Sequence, residues 1–150
     1  MHVRKMQGFT LIELLIVIAL IAVLAGAVII ALNPARQFQL ARNSSRWSHV
    51  SAVVGAVTSN ITENKGVWTC TGVATLPTIS TLMTNTGGVN ICGCLVPSQM
   101  ASFPSDPSTG TGTDCTTYSS GYSISQDATT KRVTVSAVPE AGAATISVTQ

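Results

Sequence analysis

The chain has 150 residues, only 9% of them charged, a formal net charge of +2, and 36 Ser or Thr side chains. So sparse a charge excludes a basic groove for nucleic acid, and no specific nucleic-acid site is evident. Once a membrane span is set aside, about 110 residues remain, enough for one small extracytoplasmic domain.

The N-terminus begins with a short stretch carrying Arg4 and Lys5, followed by Gly8-Phe9-Thr10-Leu11-Ile12-Glu13. From Phe9 to Leu32 the only charge is Glu13, in a run of 24 residues. As a helix this run extends roughly 36 Å, more than the roughly 30 Å of a hydrocarbon core. A carboxylate at mid-membrane costs at least about 2.5–3.5 kcal/mol and needs a partner. Nothing within the span supplies one. A cut just before Phe9 would create a free amine, and a second copy of the chain could present it.

These residues resemble the class III signal of type IV prepilins and type II secretion pseudopilins. The resemblance covers Arg4 to about Leu32; beyond that it is one of layout. It implies an α+β, type IV pilin-like fold, with a long N-terminal helix packed on a small antiparallel β-sheet. It implies a leader over 1–8, cut after Gly8 by a prepilin peptidase, and N-methylation of the new N-terminal Phe9. Glu13 then becomes the assembly carboxylate that pairs with a neighbour's amine. The partners implied are other copies of the chain in a helical filament, the peptidase, an inner-membrane assembly platform and, before assembly, the lipid bilayer. Removing the leader deletes Arg4 and Lys5 and leaves six basic and six acidic side chains, a neutral subunit that can pack beside copies of itself.

Two other readings fit the same segment. In one, Leu14 to Leu24 is the core of an ordinary secretory signal, cut at Ala25-Gly26-Ala27 to release a soluble binding module that starts at Val28. In the other, the span is a plain anchor whose Glu13 reaches the interface near the helix N-terminus, where the dipole favours it. Charge alone does not orient the span. Arg4 and Lys5 favour a cytoplasmic N-terminus, while Arg36, Arg42 and Arg46 lie beyond the span. The cysteines and the resemblance place the N-terminus in the cytoplasm, the domain outside, and the assembled filament outside the cell.

The helix is expected to continue as an amphipathic segment over 33–62, kinked at Pro34, which disfavours helix at Asn33. Many pilins carry such a Pro earlier, where this chain has Ile30. Leu40, Trp47, Val50, Val54, Val57 and Ile61 recur on one helical face and are expected to carry the domain. Arg36, Ser44, Arg46 and Ser51 are expected at exposed positions.

The region 63–150 reads as β-rich. Strands are expected near 67–71, 89–95, 118–125, 132–138 and 145–148, the last three alternating apolar and polar residues. They suggest a three-stranded meander across the helix stripe, with 76–86 a loop or one short helix. Cys70, Cys92, Cys94 and Cys115 all fall here. An even number in a small exported domain reads as disulfides. Cys92 and Cys94 flank one Gly and are too close to bond each other without strain. Both remaining pairings stay open: Cys70–Cys92 with Cys94–Cys115, or Cys70–Cys94 with Cys92–Cys115. The rival is a four-thiolate zinc site, which usually needs two close pairs where this chain has one.

No enzyme constellation is present. His2 falls in the leader, and His49 on the helix has neither a nucleophile nor an orienting group near it in the pattern. Phe103-Pro104-Ser105-Asp106-Pro107 resembles a loop that in major pseudopilins can bind calcium. Asp106 and Asp114 are the candidate ligands, but two carboxylates fall short of calcium's demand for oxygens. An Asx-type turn at Asp106 is the favoured reading, and no cofactor is expected. Asn43-Ser44-Ser45 and Asn60-Ile61-Thr62 match the glycosylation pattern by chance on a helix. Trp68, Tyr118 and Tyr122 fit either core or surface.

Overall fold

The computed structural model describes residues 8–112 and 114–150. Residues 1–7, and with them Arg4, Lys5 and His2, lie outside the described part. The chain divides into two compact units, one ending at Phe38 and one spanning Gln39–Gln150.

Helix α1 covers Leu11–Leu32 and α2 covers Pro34–Glu63. The sequence suggested one helix with a kink; the structure has two helices with a break between them. Asn33 ends α1 in the left-handed region, at φ 44° and ψ 74°. Asn is among the few residues that tolerate this conformation. Its Oδ1 accepts the Arg36 N–H at 3.4 Å. Pro34 is then the first residue of α2, where its missing N–H costs nothing and its fixed φ suits a helix.

The second unit is built on α2. Its buried face is Asn43, Arg46, Val50, Val53, Val54, Ala56, Val57 and Asn60. Two expectations are corrected here. Arg46 is buried at 2% exposure, whereas Leu40 and Trp47 are each 44% exposed. The valines centre the packed face on the line Arg46–Val50–Val53–Val57. Trp47 stands about 100° round the helix from Arg46 and falls off that face.

The sheet has four strands in the order β1–β2–β3–β4, all neighbours antiparallel. They are β1 Thr81–Thr84, β2 Ser119–Gln126, β3 Val133–Ala137 and β4 Ile146–Thr149. Tyr122 pairs with Ala137, which pairs with Ile146; Ile124 pairs with Val135. These side chains alternate inward and share one core with Val50, Val53, Val54 and Val57 of α2. Trp68, Tyr118 and Tyr122 all belong to that core. The outward rows are hydroxyl-rich: Ser123, Ser136 and Ser147, then Ser125, Thr134 and Thr149.

Three strand expectations change. Residues 81–84, expected in a loop, form β1 and make the meander four-stranded. Residues 67–71 form no strand. The Asn60 side chain satisfies that stretch instead, donating to the Thr69 carbonyl and accepting the Thr69 N–H, each at 3.1 Å. Residues 89–95 hold one bridge, Met83 to Val89, and then the helical turn α3, Cys92–Leu95. The resulting layout is α+β and pilin-like: a long helical N-terminus and a small antiparallel sheet.

Candidate functional site

The N-terminus of α1 is organised by Thr10. Its backbone is extended, at φ −81° and ψ 151°, and its hydroxyl accepts the Glu13 N–H at 3.3 Å. The same hydroxyl donates to Glu13 Oε2 at 3.4 Å. Thr-x-x-Glu is the spacing of a capping box, so this carboxylate marks a helix start. The sequence argument gave Glu13 no partner within the span; the structure provides the Thr10 hydroxyl. Leaving Glu13 beside the N-terminal amides also places its charge at the favourable end of the dipole. Phe9 is 80% exposed, and no residue of α1 is buried. Its 22 residues are long and apolar enough to cross a membrane. A Cβ added to Gly8 would meet nothing within 4 Å.

The second unit holds a compact ionic cluster that the sequence reading did not foresee. Arg46 Nε donates to Asp106 Oδ2 at 2.6 Å, and Nη2 donates to Asp106 Oδ1 at 3.0 Å. Nη2 also reaches Ser108 Oγ at 2.7 Å and Glu140 Oε1 at 2.6 Å, while Nη1 donates to Asn43 Oδ1 at 2.8 Å. Arg42, one helical turn earlier, forms an ion pair with Glu140. The only hint in the sequence was the 3–4 spacing of Arg42, Asn43 and Arg46 on a helix. Nothing in the pattern says that residues 106 and 140 come to meet them.

The electrostatics follow from this geometry. The Asp106 hydrogen bond raises the Arg46 guanidinium still further, against the effect of burial. Burial by itself would raise the Asp106 carboxyl. The guanidinium and the amides of Ser108 and Thr109 outweigh it and hold the carboxyl well below the usual range. Glu140 is drawn down to about 2 by hydrogen bonds from Arg42 and then Arg46. The loop approaches β2 at Gly121, where φ is +77° and an added Cβ would lie 2.6 Å from Asp106 Cβ. Only glycine suits that crossing.

The expected calcium candidates are thus placed apart in role. Asp106 faces a cation of the protein itself. Asp114 is exposed and caps its own turn, its Oδ1 accepting from Thr116 N at 3.0 Å and Thr117 N at 2.9 Å. Among the described residues no group of three or more His, Cys, Asp or Glu could hold a metal ion. Both matches to the glycosylation pattern have their amides engaged: Asn43 Nδ2 donates to the Glu140 carbonyl at 2.9 Å, and Asn60 is tied to Thr69. His49 Nδ1 lies 2.8 Å from the buried Tyr122 hydroxyl, a contact between helix and sheet.

The four cysteines pair as Cys70–Cys94 and Cys92–Cys115. The spacing of the cysteines leaves two pairings open, and the expected strand over 89–95, which would put the Cys92 and Cys94 side chains on one face, does not choose between them. In the helical turn α3 side chains two apart diverge by about 200°, so the two sulfurs address different loops.

Residues 3–29 match the family model of the prokaryotic N-terminal methylation motif. No curated protein and no solved structure matches the chain. The motif covers the segment in which Gly8, Phe9 and the Thr10–Glu13 cap lie. Its N-terminal segment is therefore the class III signal of type IV pilins and pseudopilins.

Proposed function

We propose that this protein is a structural subunit, cleaved after Gly8, N-methylated at Phe9, and polymerised through α1 into a type IV pilus or related filament. The observation that carries this reading is α1 itself: a helix of 22 residues, none buried, whose one charged side chain is the Glu13 carboxylate in its first turn. Such a helix needs lipid first and other helices afterwards. Transfer from bilayer to filament core keeps its apolar surface covered throughout. Glu13 pairs with the Phe9 amine of the next subunit, which sets the axial register and compensates both charges. Among the described residues, nothing lies within 4 Å of a Cβ built on Gly8. That agrees with a requirement imposed by the peptidase.

The partners in this reading are further copies of the chain, the peptidase, the inner-membrane assembly platform and the bilayer. The protein passes from a single-span membrane precursor, N-terminus in the cytoplasm, to a filament outside the cell. Intact mass and N-terminal fragmentation of surface-sheared material test the reading. A chain starting at methylated Phe9 is expected; a start at Val28 would sink it in favour of a secreted module. Glu13→Ala is expected to be processed normally and to lose most of its filament yield, whereas normal yield would remove the role given to Glu13.

A second reading, a major pseudopilin of a secretion or DNA-uptake machine, is favoured by the loop Phe103-Pro104-Ser105-Asp106-Pro107. It predicts that processed subunit stays in the cell envelope and is absent from sheared surface filaments.

A further inference from the structure

The two disulfides leave one helical turn for opposite surroundings. Cys92 and Cys94 stand two residues apart in α3, the first bonded to Cys115 and the second to Cys70. Cys92 is fully buried in the apolar core. Cys70, Cys94 and Cys115 are half-buried and line one open cavity of about 360 Å³, together with Thr71, Asn90 and Gly93. Both sulfurs of the Cys70–Cys94 bond lie beside the Thr71 carbonyl, at 3.8 and 4.0 Å. Among the described residues no charged side chain lines this cavity.

Thiol–disulfide exchange needs a path for the attacking thiolate and a place for the leaving one. A thiolate that attacks Cys70 or Cys94 through the cavity expels the other sulfur towards water. The same attack on Cys115 would expel Cys92 as an anion inside the apolar core, where a charge is strongly disfavoured and leaves slowly. Cys92 itself, at 0% exposure, offers no path of attack. The stretch that carries Cys70 also has ties besides its disulfide. Trp68 and Leu76 are core residues, and Thr69 is bonded to the Asn60 amide. Trp68 Nε1 donates to the Val73 carbonyl at 3.0 Å. Opening Cys70–Cys94 therefore leaves the fold closed.

We propose that Cys70–Cys94 is an exchange site for dithiols that operates in the folded domain, while Cys92–Cys115 is a permanent staple. A thiolate of the dithiol attacks one sulfur of Cys70–Cys94; that bond breaks, a mixed disulfide forms, and the other sulfur leaves as a thiolate that takes a proton from water. The second thiol of the dithiol loses its proton and attacks the mixed disulfide, releasing the remaining cysteine. The dithiol is oxidised to its disulfide, and Cys70 and Cys94 are reduced to two thiols. The domain thus carries two redox states on one fold. The inference concerns the second unit alone and does not depend on whether the chain assembles into filaments.

The test treats the full-length chain in detergent with dithiothreitol at mildly alkaline pH, quenches with N-ethylmaleimide at intervals, and maps the labelled cysteines by mass spectrometry. Cys70 and Cys94 are expected to be labelled roughly tenfold faster than Cys92 and Cys115, with an unchanged circular dichroism spectrum. Equal rates, earlier label on Cys92 and Cys115, or loss of the native spectrum at that stage would overturn the proposal. The rate is expected to rise in proportion to dithiothreitol; a rate that levels off would mean that unfolding precedes attack and would overturn it too. Thr71→Lys and Thr71→Glu place a charge at an exposed position beside the two sulfurs. They are expected to speed and slow the labelling of Cys70 and Cys94 by about threefold each, because the attacking thiolate is an anion. Identical rates in the two variants would show that attack does not come through the cavity, against the proposal.

Discussion

Helix α1 and the unit from Gln39 to Gln150 are folded for opposite surroundings. In α1 the backbone is satisfied and the N-terminus is capped, yet none of its side chains is buried. In the second unit the apolar side chains of α2 and the sheet cover one another. Among the described residues no buried side-chain nitrogen or oxygen lacks a partner. One region is complete as a single chain. The other is complete only as secondary structure, and its apolar side chains stand exposed.

That contrast can be broken from the domain side. Arg46→Ala leaves Asp106 buried without its cation and is expected to destabilise the domain by about 3–5 kcal/mol in chemical denaturation. A loss under about 1 kcal/mol would mean that solvent already reaches the cluster. Ile124→Ala empties a fully buried position between α2 and the sheet and is expected to cost about 2–5 kcal/mol. Replacing both Cys70 and Cys94 with Ser is expected to cost about 2–4 kcal/mol by the same measurement.

Acid should act on the same region. The folded carboxyls of Asp106 and Glu140 lie below their ordinary values, Glu140 at about 2. Their contribution is therefore complete above the unfolded carboxyl range near pH 4. It is lost as pH falls from there towards 2, because the unfolded chain binds protons first. A melting midpoint that declines below pH 4 is expected for the native chain, and a flatter decline for Arg46→Ala. The smallest domain effect is expected from the other side of the contrast. Leu20→Ala, at 59% exposure in α1, should shift domain stability by less than about 0.5 kcal/mol while weakening filament yield. Equal loss of domain stability would mean that α1 is not a separate region energetically.

The parts of the fold legible in the sequence are those set by short-range pattern. The apolar run and the alternation in β2, β3 and β4 each follow from helix or strand period, whereas the Thr10–Glu13 cap emerged only in the structure. What pattern missed has a common cause. Thr81-Leu82-Met83-Thr84 carries little alternation and becomes a strand because β2 offers it an edge. Residues 67–71 look strand-like, but at their centre the Asn60 amide takes both backbone hydrogen bonds of Thr69. Arg46 reads as a solvated residue on any helical wheel. It is buried because partners 60 and 94 positions away close over it.

Residue order alone was enough to mark the methylation signal, the apolar span and the confinement of all four cysteines to the domain. Those features reside in contiguous chemistry that a peptidase or a bilayer meets one segment at a time. The tertiary structure decided that Cys70 joins Cys94 and Cys92 joins Cys115, that β1 exists, and that Asp106 meets a guanidinium. Each of these depends on which distant backbones approach, and the packing of valines on α2 against the sheet settles that approach.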